Sequence, residues 1–284
     1  METTIKAPAK LNLFLDIVGR REDGYHFVDM VMQSVDICDE VTVSIADGEK
    51  SIAVECTDPA IPCDEGNIAY KAVELFYAAI GRNVPQVKVH ICKNIPSQAG
   101  MAGGSTDAAA VLKALNMLTG AGLTAAEMEK IAADIGADVP FCIEGGTVGA
   151  TGIGTDLERL DPLADCVFVV VKPEVNVSTG MAYRRSDEIG YGSPADISPV
   201  LEGIRTGDVE IVAKSLYNKF EDVMQLPEID DIKRRLMECG AMGAAMTGSG
   251  SAVFGMFRSS DFDPDYLSGL SAKMNVMTAK AAAQ

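Results

Sequence analysis

The run Pro96-Ser97-Gln98-Ala99-Gly100-Met101-Ala102-Gly103-Gly104-Ser105-Thr106 constrains this chain more than any other stretch. Its glycines and alanines leave little side chain along the backbone, so another group can approach closely, and glycine takes positive φ without penalty. A helical pattern follows from about Ser105 to Leu118, so the run opens directly into a helix. The first N–H groups of a helix are unpaired and sit at the positive end of its dipole. A loop of this kind either cradles a phosphate or is a glycine-rich turn in which Ser105 or Thr106 acts only as the N-cap.

Charge bears on that choice. Lys plus Arg number 24 against 41 for Asp plus Glu, a net charge of −17. An acidic field repels nucleic-acid backbones and anionic lipid, so any phosphate must be held locally by backbone N–H groups and a few placed cations. The expected partner is a small molecule, with no nucleic acid, membrane or obligate protein partner. At 284 residues and 48% hydrophobic, the chain has enough apolar material for two domains, and a disordered or fibrous chain is excluded. Its seven cysteines (Cys38, Cys56, Cys63, Cys92, Cys142, Cys166, Cys239) are widely spaced without a C-x-x-C pair. They read as buried thiols of a reducing compartment. The amino terminus lacks a signal-peptide core, and the longest strongly apolar run, Cys166 to Val171, is too short to span a membrane. A cytoplasmic location is expected.

Period-2 alternation marks strands at Leu11–Ile17, Val41–Ile45, Ile52–Cys56 and Val87–Ile91. The first of these would place Leu11, Leu13 and Leu15 on one face and Lys10 and Asn12 on the other, which a bland strand would turn to solvent and a site would use. Asn67 caps a helix to about Ile80 that stops at Gly81, and Thr124 with Glu127 forms a capping box for a helix closed by Gly136. Beyond Thr155 come the strand at Cys166–Val171 and polar helical segments from Ser178 to Gly240. Short apolar runs, Ala244–Met246 and Val253–Phe257, then flank Thr247-Gly248-Ser249-Gly250-Ser251. In the segment Pro227–Cys239 the acids come first and the bases later, as on a solvated helix. The tail after Ala279 reads as a frayed end. The class is α/β or α+β in two lobes.

Common phosphate motifs are absent. No Gly-Lys-Ser/Thr occurs, Gly248-Ser249-Gly250 lacks the third glycine of a dinucleotide fingerprint, and the protein-kinase motifs are missing. Three blocks together resemble the GHMP kinase superfamily: Lys6-Ala7-Pro8-Ala9-Lys10-Leu11-Asn12-Leu13, the glycine-rich run, and Gly243-Ala244-Ala245-Met246-Thr247-Gly248-Ser249-Gly250. Two more, Asp23-Gly24-Tyr25-His26 and Ile135-Gly136-Ala137-Asp138-Val139-Pro140-Phe141, are similar to the branch that phosphorylates a cytidine-diphosphate sugar alcohol in isoprenoid precursor synthesis. The resemblance spans residues 5 to 257.

It implies a two-lobed GHMP kinase fold: an amino-terminal α/β lobe over 1–155 with a left-handed crossover, against the usual right-handed rule, and a ferredoxin-like carboxyl-terminal lobe over 156–284. It implies transfer of the γ-phosphoryl group of ATP, with Mg²⁺, to a substrate hydroxyl. Lys10 would orient the nucleophile and stabilise the transferring group. Asp138, otherwise an ordinary turn residue, would accept the hydroxyl proton. Pro96 to Thr106 would hold ATP, with Ser105 a candidate Mg²⁺ ligand. Tyr25 would stack on the cytosine and His26 would bond its edge, with Tyr183 a second aromatic and Asn12 and Thr179 further substrate-binding residues. One departure stands out: the superfamily loop reads G-L-G-G-G-S-S, and Ala102 occupies a glycine position.

Overall fold

The computed structural model describes residues 1–270 and 275–282. They form two compact units interleaved in sequence. The first comprises Met1–Ala9, Ile37–Ile95 and Ala102–Gly145, and the second Lys10–Asp36, Pro96–Met101 and the chain from Gly146 onward. The strands β1 (Glu2–Arg20) and β2 (His26–Ala46) contribute residues to both.

In the first unit, β3 (Ser51–Cys56) lies parallel to β4 (Gln86–Cys92), and β4 runs antiparallel to Glu40–Ala46 of β2. Val87, Val89 and Ile91 are buried while Lys88 and His90 are exposed, the alternation that a strand covered on one face requires. Helix α1 (Ile68–Ala79) lies between β3 and β4 in sequence, and α2 (Gly103–Thr119), α3 (Ala125–Ala133) and α4 (Val139–Glu144) follow β4. Asn67 caps α1 by accepting from the N–H of Ala69, and Gly81 follows its end at φ 63°. Thr124 and Glu127 form the expected capping box of α3, but that helix ends at Ala133, ahead of Gly136. The side of α2 carrying Ala108, Ala109 and Ala110 is buried, and such small side chains let α1 and α4 pack close.

The second unit departs from simple alternation. Every residue of β1 from Lys10 to Ile17 is buried, Lys10, Asn12 and Asp16 among them. An isolated strand would leave Lys10 and Asn12 in solvent; here the stretch is covered on both faces, where period-2 patterning no longer reports exposure. Likewise β2 begins at His26, well before the apolar alternation at Val41. Met30–Gln33 of β2 pairs antiparallel with β5 (Thr147–Thr151), which pairs in turn with β6 (Asp156–Arg159).

The rest of this unit runs β7 (Cys166–Lys172), α5 (Thr179–Ile189), α6 (Ser198–Thr206), α7 (Val209–Lys214), β8 (Tyr217–Asn218), α8 (Lys219–Met224), α9 (Pro227–Glu238), β9 (Gly243–Met246), β10 (Val253–Arg258) and β11 (Asn275–Lys280). Strand β8 lies parallel to β1 at Phe14 and Leu15. An antiparallel sheet in the order β11-β7-β10-β9 has the make-up expected of a ferredoxin-like lobe, with β7 buried from Cys166 to Val171. Helix α9 buries Ile229, Ile232 and Leu236 on one stripe and keeps acids in its first turn.

The carboxyl end is not frayed at Lys280. Pairing with β7 holds β11, Lys280 N–H donates to Asp36 Oδ1 at 2.7 Å, Ala281 bridges Val35, and Ala282 N–H donates to Ser34 O at 2.8 Å. Residues 283–284 lie outside the described residues.

Gly243 marks the tightest approach in the second unit: a Cβ there would lie 1.9 Å from the backbone oxygen of Ala213. Backbone cannot yield as a flexible side chain does, so Gly243→Ala is expected to destabilise the protein by about 3 kcal/mol. Urea denaturation measures it; a loss under about 0.5 kcal/mol, the scale of a neutral surface change, would contradict the packing described.

Candidate functional site

Asn12 is wholly buried and ties β1 to the turn at Thr247 and Gly248. Its N–H donates to Thr247 Oγ1 at 3.0 Å, and its Oδ1 accepts from the N–H of Gly248 at 3.0 Å and from Lys10 Nζ. Lys10 stands two residues earlier on β1, hence on the same strand face, and is 4% exposed. Its own N–H donates to Met101 O at 3.1 Å. Thr247 Oγ1 lies 3.3 Å from Gly100 O, and Ala252 N–H donates to Ala99 O at 3.2 Å. The segment 96–101 and the turn 247–251 therefore lie backbone to backbone.

Two glycines make that approach possible. Gly100 sits at φ 73°, and a Cβ on it would lie 2.1 Å from Thr247 O. Gly248 sits at φ 55°, and its Cβ would lie 2.7 Å from Gly100 O and 3.2 Å from Lys10 Nζ. Asn218, which carries no sequence signal, fixes the turn from below by donating to Met246 O at 2.7 Å and Gly248 O at 2.8 Å.

In the first unit, α2 begins at Gly103 with Ala102 as N-cap and no side-chain cap bond. Ser105 and Thr106 thus lie inside the helix, and the reading of either as its N-cap is corrected. Gly104 is exposed, Ser105 half-buried and Thr106 buried. Ala102 takes φ 58°, ψ 29°. This is a left-handed conformation that glycine adopts freely and that costs about 1 kcal/mol for a residue with a Cβ. Asp138 heads α4 half-buried, and its carboxylate makes no capping bond to that helix.

Behind the start of α2 lies a charge cluster that sequence reasoning missed. Lys93 Nζ donates to Asp39 and to Asp107 Oδ2, the latter at 2.8 Å, with all three side chains at most 7% exposed. A Cβ on Gly103 would lie 3.1 Å from that Nζ. Asp39 Oδ1 accepts the N–H groups of Asn94 and Ile95 at 2.6 and 2.8 Å. Asp107 Oδ1 is buried without a hydrogen-bond partner. Burial, opposed by Lys93 and reinforced by Asp39, pushes the Asp107 carboxyl up to about 7. Burial lowers the Lys93 ammonium, but Asp107 and Asp39 outweigh it and hold it above its usual value.

A third grouping, again in the second unit, gathers around His26. Its ring stacks on Tyr183 with centroids 4.5 Å apart at 23°, and its Nε2 lies 2.7 Å from Asp187 Oδ1. Tyr183 also meets Phe220 edge-on at 5.0 Å. Tyr25 stands apart, 58% exposed. Thr179 Oγ1 lies 2.7 Å from Ser249 Oγ, tying the start of α5 to the 247–251 turn. His90 is the exposed strand residue that its pattern predicted.

The chain matches the family models described as GHMP kinases N terminal domain over residues 67–146 and GHMP kinases C terminal over residues 200–266. It is 42% identical over 256 residues to a 4-diphosphocytidyl-2-C-methyl-D-erythritol kinase of Clostridium tetani, covering 89% of this chain and 90% of that one. A crystal structure of a 4-(cytidine 5'-diphospho)-2C-methyl-D-erythritol kinase superposes with a TM-score of 0.80 at 30% identity, over 99% of this chain and 100% of that one. The homoserine kinase of Cytophaga hutchinsonii, at 19% identity and TM-score 0.78 over 99% and 95% of the two chains, shares the fold.

The Asp107 carboxyl binds its proton more tightly folded than unfolded, from an ordinary 3.8 to about 7. Its stabilising contribution is therefore full below the unfolded value and is lost as pH rises toward 7. Urea midpoints at about pH 5 and about pH 8 are expected to fall for the wild type and to fall less for Asp107→Asn, which cannot ionise. Equal declines in the two proteins would contradict the shifted carboxyl.

Proposed function

The chain belongs to the 4-diphosphocytidyl-2-C-methyl-D-erythritol kinase family, and we propose that it transfers the γ-phosphoryl group of ATP to the 2-hydroxyl of 4-(cytidine 5'-diphospho)-2-C-methyl-D-erythritol. Membership makes it an ATP-dependent kinase of isoprenoid precursor synthesis. One observation carries the residue-level reading: a buried lysine, Lys10, held by Asn12 within a frame that fixes both glycine-rich segments. A lysine ammonium is expensive to bury, and a charge developing on a transferring phosphoryl group gives it a function there.

In this reading Pro96 to Thr106 bind the nucleotide, with the N–H groups at the start of α2 facing phosphate oxygens. Lys10 stabilises the transferring group, and Asp138, whose carboxylate does not cap α4, accepts the proton of the attacking hydroxyl. Asn12, Tyr25, His26, Thr179 and Tyr183 bind the acceptor, with His26 reading the base. Among the described residues no group of three or more His, Cys, Asp or Glu side chains could hold a metal. Mg²⁺ would therefore be held by phosphate oxygens with Ser105 contributing a hydroxyl, and when bound it neutralises phosphate charge.

The division into lobes at 155/156 belongs to the same proposal, as do a cytoplasmic location and the lack of nucleic-acid or obligate protein partners. The cysteines are free of disulfides, although only Cys142 and Cys166 are buried as expected and Cys63 is exposed. These thiols and the acidic composition support the location, and no described helix is long and apolar enough to cross a membrane.

Mass spectrometry of the purified protein with ATP and the cytidyl acceptor is expected to show ADP and a singly phosphorylated product. Asp138→Asn is expected to lower kcat on the order of 10²- to 10⁴-fold, the worth of a general base, with ATP affinity unchanged. Turnover of the variant near the wild-type rate would remove Asp138 from that role.

A further inference from the structure

Helix α5 carries Tyr183 and, one turn later, Asp187, so both point from the same helix face. That face engages the β1–β2 turn at two places. Asp187 Oδ2 pairs with Arg20 at the end of β1 at 3.1 Å, and Asp187 Oδ1 meets Nε2 of His26 at the start of β2 at 2.7 Å. Tyr191 also donates its hydroxyl to Asp187 Oδ1. The imidazole is thus stacked on one ring, held at one nitrogen and left 9% exposed.

We propose that Asp187 is the positioning residue for base selection: by accepting a hydrogen bond from Nε2–H it fixes the tautomer of His26 and leaves Nδ1 as an acceptor. The inference rests on the reading that His26 binds the base. Which ring nitrogen of a neutral histidine carries the proton is set by the bond the other makes. A carboxylate can only accept, and donors from Tyr191 first, then His26, with Arg20 beside them, hold the Asp187 carboxyl below its usual value and so ionised. An Nδ1 acceptor complements the 4-amino group of cytosine and opposes the 4-oxo group of uracil. Selectivity then comes from an acceptor on a largely buried ring that the wrong base leaves unpaired. Arg20 and Tyr191 brace the carboxylate so that it does not swing away from the ring.

The test uses ¹⁵N shifts of the imidazole nitrogens, which distinguish the tautomers. The chain has only two histidines, so the His26→Ala spectrum assigns both. The wild type is expected to show the Nε2–H tautomer at His26 and Asp187→Ala to lose it. Asp187→Ala is also expected to raise acceptor KM by about tenfold or more, the worth of a hydrogen bond to a charged group. It should narrow the preference for the cytidine over the uridine acceptor and leave ATP KM unchanged. Asp187→Asn, whose carboxamide oxygen accepts the same N–H, should keep both the tautomer and the preference, which a merely structural role would not require. An Nδ1–H tautomer or an imidazolium in the wild type overturns the proposal. So does an unchanged base preference in a folded Asp187→Ala protein whose His26→Ala counterpart has lost it. If His26→Ala itself leaves acceptor KM unchanged, the base-reading role of His26 has failed and the proposal falls with it; the tautomer spectrum tells the two failures apart.

Discussion

A single buried carboxamide oxygen, Oδ1 of Asn12, holds the second unit's part of the site together. It accepts from Lys10 Nζ and from the N–H of Gly248 at 3.0 Å. Buried polar groups must be paired, and buried charges must be paired well. Asn12 meets both demands: it provides an acceptor for the ammonium without cancelling its charge, and it seats the 247–251 turn. An aspartate at this position would neutralise the lysine that the phosphoryl group needs, and an aliphatic residue would leave the ammonium and an N–H without that acceptor. The close backbone approach of Gly100 to Thr247 then follows, because Thr247 is held by the backbone of the same residue.

Charge elsewhere is arranged by the same economy. The protein carries −17 overall and is proposed to bind a polyphosphate. Lys93 is set against two carboxylates behind the start of α2, and Asp107 is pushed up to about 7, so the cluster's negative charge is partly withdrawn by a proton near neutrality. Arg20, Tyr191 and His26 play the matching part around Asp187, where three donors keep a carboxylate ionised.

What was legible in the sequence was local. Asn67 as a cap and the Thr124–Glu127 box depend on residues two or three apart, and both form as expected. Strand β4 alternates because one of its faces is covered. The same rule is silent on whether Lys10 and Asn12 are buried, because apolar residues alternate alike whether the opposite face meets water or protein. The glycine-rich run was legible as a close approach, but not what it approaches, since Thr247 stands 147 residues beyond Gly100. Asp39, Lys93 and Asp107 left no signal, being ordinary charged residues that only folding brings together. Asp187 left a faint one: it lies four residues after Tyr183 on a helical pattern. Ala102 was legible as a departure from a resembled motif, while its left-handed conformation had to be seen.

The central claim is that Asn12 acts through Lys10, and a double-mutant cycle on kcat tests it most directly. Lys10→Ala, Asn12→Ala and the double variant would be compared as folded proteins under saturating ATP and acceptor. If Asn12 serves to hold the lysine, its removal lowers kcat in the wild type and costs little more once Lys10 is gone, so the double variant resembles Lys10→Ala. Fully additive losses would show that the two residues act independently and would contradict the account.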